Sequence, residues 1–249
     1  MKKISLLLLL LFNLYAQDSK QTLTIGFGPY VQTQPYKNVD DIILPSPVIF
    51  FDNGLFYIRW SRAGMYFLGE KNDAYSWGFS LTGQPRPNNY KASDSPDLRG
   101  MDNKKSSVEA GLAFSAAMDK SYLEITLLTD ILGRYDSWVA NMELGYDFAL
   151  GNFKFYPSII AIYQSSKFIN YYYGVSENES LTSSYSQYTA KSSVQLGAQT
   201  YIKYPFTDKL SGLINLRMDK LSGEATASPI VVEDYIYSGL VSLIYTFEY

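Results

Sequence analysis

The sequence predicts an all-β fold: a transmembrane antiparallel up-and-down β-barrel of about 12 strands, with about 10 as the alternative count. Three observations carry that expectation. Apolar and polar residues alternate with period two in segment after segment, the connections alternate between short turns and long loops, and a secretory-type leader precedes them.

The leader comes first. Met1-Lys2-Lys3 supplies a positive start, Ile4 to Phe12 an apolar run, and Leu14-Tyr15-Ala16 a cleavage site before Gln17. The run is about half of the ~20 apolar residues that a membrane helix needs, so residues 1–16 are expected to be a signal peptide and 17–249 the barrel.

The first strand segments are Thr22 to Val31, Ile43 to Phe51, Leu55 to Arg62 and Met65 to Gly69. Pro45 and Pro47 weaken the second, and Pro157 the later segment Phe153 to Gln164, because proline cannot donate to a ladder. The alternation is clean from Ala74 to Gly83, where Tyr75, Trp77, Phe79 and Leu81 face one way and Ser76, Gly78, Ser80 and Thr82 the other. It recurs at Ser107 to Ala116, Tyr122 to Leu128 and Ser137 to Phe148, then at Val194 to Lys203 and Leu210 to Met218. The last strand, Tyr235 to Tyr249, has one wholly apolar face; on the other, Ile236, Leu240 and Ile244 interrupt Ser238, Ser242, Thr246 and Glu248.

Connections sort by length. Short turns fall at Asp52-Asn53-Gly54, Glu70 to Asp73, Asp119-Lys120, Gly151-Asn152 and Pro205 to Asp208, with residues suited to tight hairpins. Long loops fall at Gln32 to Ile42, Gln84 to Lys104, Ser165 to Ser184 and Asp219 to Asp234, in phase with a shorter link at Ile131 to Asp136 and a very tight one at Ala63-Gly64. A soluble sandwich would balance its loops at both ends. Short turns on one side, long loops on the other and 23 Tyr available for interfacial girdles instead describe a barrel in the outer membrane of a Gram-negative bacterium, with periplasmic turns and outer loops. Closure satisfies every backbone hydrogen bond against the lipid.

Composition excludes several functions. The chain has 249 residues with no His and no Cys, which removes Ser-His and Cys-His catalysis and the usual metal ligands; no enzyme activity, cofactor or metal is expected. Its net charge is −3, and −5 without Lys2 and Lys3, with no basic run, so nucleic acid is not expected as a partner. Asn178-Glu179-Ser180 matches a sequon without a context that would use it, and Gly26-Phe27-Gly28 is too sparse for a phosphate loop.

The polar strand face becomes the lumen. Its candidate residues are Arg59, Glu109, Glu124, Glu143, Asp147, Lys203 and Arg217, with Glu248 near the end. Two readings follow: a narrow solute pathway, or groups that pair across a filled interior, the latter favoured for a barrel of this width. The ending Ser242 to Tyr249 places Tyr245, Phe247 and Tyr249 at alternate positions and resembles the signal by which barrel-assembly machinery recognises its clients.

Three stretches carry a further resemblance: "GFGPYVQTQPYKNVDDIILPSPVIFF" near the start, "NYYYGVSENES" at Asn170 to Ser180, and "ASPIVVED" before the last strand. In order along the chain they resemble the MipA/OmpV family of Gram-negative outer-membrane proteins, with Tyr172, Tyr173, Gly174 and Val175 in its most recognisable motif. The loop from Gln84 to Lys104 shows no family hallmark. The resemblance implies a scaffold for murein-synthesis enzymes, its namesake holding a lytic transglycosylase and a peptidoglycan synthase near the outer membrane; other members are linked to osmotic response, adhesion or small-molecule passage. It supplies no catalytic residues. From position alone, Tyr172 and Tyr173 are expected in an interfacial girdle where a strand leaves the membrane.

Overall fold

Residues 21–249 are described by the structure, a computed structural model; the expected signal peptide lies outside the described residues. The first half supplies β1 (Thr22–Gln32), β2 (Ile42–Asp52), the short β3 (Phe56–Arg59), β4 (Arg62–Lys71), β5 (Tyr75–Arg86), β6 (Ser107–Met118) and β7 (Ser121–Asp130). The second supplies β8 (Trp138–Tyr146), its continuation β9 (Phe148–Leu150), β10 (Phe153–Gln164), β11 (Ser193–Pro205), β12 (Leu210–Lys220) and β13 (Tyr235–Glu248). Each pairs antiparallel with its neighbours, and β13 pairs with β1 from Thr22↔Glu248 to Gln32↔Ser238. With β8 and β9 forming one stave, the result is a closed barrel of 12 strands.

Alternation fixes which way each side chain points. Outward on β5, β6 and β13 stand Phe79, Leu81, Leu112, Val241 and Leu243, all exposed; the same residues in water would form an aggregation-prone patch. At the periplasmic end the outward residues turn aromatic: Phe148 stacks on Phe155 at 5.1 Å, Phe153 meets Tyr204 at a tilt at 4.8 Å, and Tyr245 meets Phe247 at 4.8 Å. This is the girdle expected where strands cross from lipid to water. Short turns close this end with side-chain acceptors, Asn53 Oδ1 taking the N–H groups of Leu55 and Phe56 and Asn72 Oδ1 those of Ala74 and Tyr75.

Inside, Val48, Leu213, Leu240 and Ile244 form a small core with Tyr30, Trp60 and Tyr201 against it. The interruptions on the polar face of the last strand, Leu240 and Ile244, are therefore filling for the interior.

One turn differs from expectation. The tight link lies at Trp60-Ser61, since Arg59 pairs with Arg62, while Ala63 and Gly64 are strand residues opposite Ile58 and Tyr57. Trp60 takes φ +54, a left-handed turn conformation that a non-glycine residue adopts at a cost of about 1 kcal/mol. Strands also run past their expected ends: β5 includes Gln84, Pro85 and Arg86, and β12 reaches Asp219 and Lys220.

The long loops are not extended. They hold a short 3₁₀ turn (Pro96–Leu98) and three helices, α1 (Ser166–Tyr173), α2 (Glu177–Thr182) and α3 (Gly223–Thr226), each begun by a serine whose side chain accepts from the first turn: Ser95, Ser165, Ser176 and Ser222. Together they fold over the outer end of the barrel around a core that includes Tyr36, Tyr90, Leu98, Phe168, Ile169, Tyr172, Tyr173 and Ile230.

Candidate functional site

The site is the interior and the cap that covers it. Within the wall, Glu124 is held between two arginines, Arg59 at 2.8 Å and Arg62 in close contact. Arg59 also donates to Tyr66 Oη at 2.5 Å and reaches Asp52 at 3.5 Å. Toward the outer end Glu109, fully buried, accepts from Arg86 Nε and Nη2 at 2.8 Å each, from Gln84 at 3.0 Å and from the Tyr135 hydroxyl at 2.8 Å. Arg217 binds Asp219 through Nε at 2.6 Å and Nη2 at 2.8 Å. Glu143 accepts from Tyr122, Ser158 and Gln199 at 3.0, 2.7 and 2.7 Å, bonds that join three other staves to its own through one oxygen.

These bonds leave a cavity of about 90 Å³, lined by Arg62, Arg86, Glu124, Asn141, Glu143 and Arg217 among others. It has room for a few water molecules at about 30 Å³ each. Buried charges of this kind persist only when paired, and here Glu124 ties the β3–β4 hairpin to β7 while the other pairs lie within or between adjacent staves.

The expected lumen residues are thus brought together unequally. Arg59, Glu109, Glu124, Glu143 and Arg217 stand in the network. Lys203 is half-buried opposite Lys154 on the neighbouring strand, away from the carboxylates. Asp147 is placed at the exposed break between β8 and β9, its N–H bonded to the Lys120 carbonyl in a periplasmic turn, so it belongs to the rim. Arg62, Arg86, Asp52 and Asp219 were missed. Arg86 continues the inward row of Ser80, Thr82 and Gln84, and counting that period two residues further would have found it.

Above the cavity the cap is knitted from four loops. The Tyr36 hydroxyl donates to the Tyr172 carbonyl at 3.1 Å, and Ser228 Oγ to the Tyr173 carbonyl at 2.5 Å. Val175 pairs with Tyr188 through both backbone bonds, and Tyr188 Oη donates to the Glu224 carbonyl at 2.7 Å. A side chain on Gly174 would meet the Asn170 carbonyl at 2.5 Å, so the helix can end there only on glycine. The girdle expected for Tyr172 and Tyr173 is corrected: they end helix α1 at 0% and 1% exposure, because the chain after β10 turns inward over the lumen. Their rings join a cluster in which Tyr36 packs on Tyr90 at 4.6 Å and Tyr135 on Phe168 at 5.0 Å.

Electrostatics reinforce the knit. Burial works to raise the Glu179 carboxyl, but bonds from the Ser176 N–H, the Lys104 ammonium and the Asp102 N–H outweigh it and hold the group below the usual carboxylate range. Burial pushes the Tyr36 and Tyr90 hydroxyls well above the ordinary tyrosine value, so both stay neutral; Tyr36 donates to the Tyr172 carbonyl, while the Tyr90 hydroxyl is buried without a hydrogen-bond partner. No cluster of three or more carboxylates suited to a metal occurs among the described residues.

A closed strand cylinder with an apolar outer band, an aromatic girdle and a polar, charge-paired interior defines an outer-membrane β-barrel protein. The chain belongs to the family of MltA-interacting protein MipA, whose family model matches residues 25–247. It is 31% identical over 228 residues to the MltA-interacting protein of Escherichia coli, covering 91% of this chain and 90% of that one. It is 26% identical over 165 residues to outer membrane protein OmpV of Vibrio cholerae, covering 66% and 63%. Among solved structures, outer membrane protein OprD from Pseudomonas aeruginosa is similar at a TM-score of 0.36 and 9% identity, covering 95% of each chain.

Proposed function

We propose that this protein is a non-enzymatic outer-membrane scaffold that holds murein-synthesis enzymes, a lytic transglycosylase first among them, against the inner face of the outer membrane. The observation that carries this reading is the filled interior: folded loops cover one end, and paired charged side chains line a cavity of about 90 Å³. A barrel filled in this way offers its ends as surfaces rather than its lumen as a route. The relative named for interacting with MltA supplies the class of partner.

The periplasmic turns are the surface that faces murein enzymes. They present exposed charges at Asp119, Lys120, Asp208 and Lys209. Affinity capture of the envelope lytic transglycosylase by the wild-type barrel, reduced by combined Lys120→Glu and Lys209→Glu, is the expected result; recovery no better than with an unrelated barrel overturns the reading. Planar-bilayer recording tests the alternative of a narrow solute channel. Discrete openings altered by Arg217→Ala or Glu143→Ala would favour the channel, and a silent barrel the scaffold.

A further inference from the structure

The barrel wall has a window. The β3–β4 hairpin stops at Arg59 and Arg62, yet β2 continues outward through Ile42 and β5 through Arg86. β2 pairs with β3 only from Phe50 to Asp52, and β5 with β4 only from Ser76 to Gly83. No ladder joins β2 to β5 among the described residues. Above the gap the flanking loops meet, Lys37 pairing with Asp97 at 2.9 Å and Gln34 donating to the Asn89 carbonyl at 3.3 Å. The opening is framed below by the Trp60-Ser61 turn and above by this arch.

Open strand edges are not tolerated in lipid, so their treatment here is informative. The Ile49 carbonyl accepts from the Trp60 N–H, which fixes the odd residues of β2 as those facing the gap. Two of these are Pro45 and Pro47. On β5 the Asn72 N–H bonds to the Tyr75 carbonyl, so odd residues face β4, and the one beyond the ladder is Pro85. Three prolines therefore stand where an N–H would otherwise point unpaired into the gap. Outward residues at this level, Ile43 at 72% and Val108 at 37% exposure, are apolar, which places the window in the lipid band.

At its lower edge, on the lipid-facing side, lies a shallow open pocket of about 270 Å³ with Ile58, Ala63, Pro85 and Val108 in its lining. Arg62 and Gln84 line both this pocket and the interior cavity, so they stand between lipid and lumen. Arg62 shares Glu124 with Arg59, and its Nε is buried with no hydrogen-bond partner. Trp60, in its strained backbone, turns its indole inward to donate to Ser46 at 3.1 Å and to pack on Tyr30 at 5.8 Å.

We propose that this window is a binding site for a single-chain anionic amphiphile of the fatty-acid class, entered from the bilayer. The apolar pocket takes part of the chain and Arg62 takes the carboxylate. The volume is just under the ~300 Å³ at which sites for drug-sized ligands begin, which suits part of one acyl chain. An anionic head matches the arginine that lacks a full complement of acceptors. The proline-lined edges disfavour a peptide strand, which would need those N–H groups.

The site can be tested on the full barrel in nanodiscs, with Trp77→Phe and Trp138→Phe leaving Trp60 as the fluorophore. A bromine-labelled fatty acid is expected to quench Trp60 saturably, while the fatty alcohol of the same chain needs at least five-fold more. Arg62→Gln should remove that difference, Arg62→Lys should keep most of it, and Ala63→Phe should abolish saturable quenching in protein that retains heat-modifiable mobility. Equal quenching by acid and alcohol in the parent protein, or none that saturates, overturns the proposal without recourse to any Arg62 variant.

Discussion

Lys104 Nζ lies 2.9 Å from Glu179 Oε1, joining two outer loops that are 75 residues apart in the chain. Both groups are buried, and Glu179 also closes a capping box with Ser176 and accepts from the Asp102 N–H at 3.0 Å. One carboxylate thus starts helix α2 and fastens it to the preceding loop.

Removing one partner of such a pair leaves a buried charge alone, at about 3–5 kcal/mol. Glu179→Ala is therefore expected to loosen the cap while the strand cylinder stays closed. Hydrogen exchange should rise in residues 87–106 and 165–192, with heat-modifiable mobility unchanged; equal loss of protection in β6 and β10 would contradict this.

The same carboxylate gives a pH dependence. Its folded value lies below the unfolded value of about 4.3, so its contribution is complete above that pH and is lost as pH falls through the folded value. Protease cleavage in the cap should be absent near neutrality and appear as pH drops below about 4. In Glu179→Gln that acid-induced step should shrink.

Tyr172 fills the centre of the cap with its ring fully buried. Tyr172→Ala should cost about 3–5 kcal/mol of cap stability by the cavity it leaves. Tyr172→Phe, which keeps the packing and loses only a long 3.4 Å bond to the Lys105 carbonyl, should cost under about 1 kcal/mol. Limited proteolysis of the two variants checks the order.

A Cβ on Gly28 would stand 1.8 Å from the Val241 carbonyl oxygen, where β1 meets β13. Gly28→Val is expected to prevent closure of the barrel, seen as loss of the heat-modifiable band; Gly223→Ala, in a loop with open space around it and ordinary backbone, should leave that band intact.

The terminal residue pairs with Gln21 through both backbone bonds at 3.1 Å, so the proposed assembly signal of Tyr245, Phe247 and Tyr249 ends on the closing seam. Tyr249→Asp with Phe247→Ala is expected to lower the amount of folded barrel in the outer membrane. Unchanged yield would argue that the ending carries no address.

The staves were legible because lipid on one side and a polar interior on the other impose period two. That constraint holds even in β2, where Pro45 and Pro47 argued against a strand yet face a gap that needs no donor. It fades at strand ends, which is why Arg86 and Asp219 were lost to loops, and why Arg62, last residue of an expected strand, was not placed on the inner face. The cap was opaque for a different reason: Tyr36, Tyr90 and Tyr172 are brought together from three separate loops, and no local spacing encodes their meeting. Only Ser176 with Glu179, three residues apart, carried a helix-start signature.

The interlocking of four loops also decides what the cell surface displays. Lys37 and Asp97, or Thr182 and the Gly100 carbonyl, are neighbours there although they come from different segments. An antibody raised against the folded barrel should therefore recognise discontinuous epitopes, and loop peptides should compete poorly for it. To the outside the protein presents one rigid relief rather than a set of independent tethers.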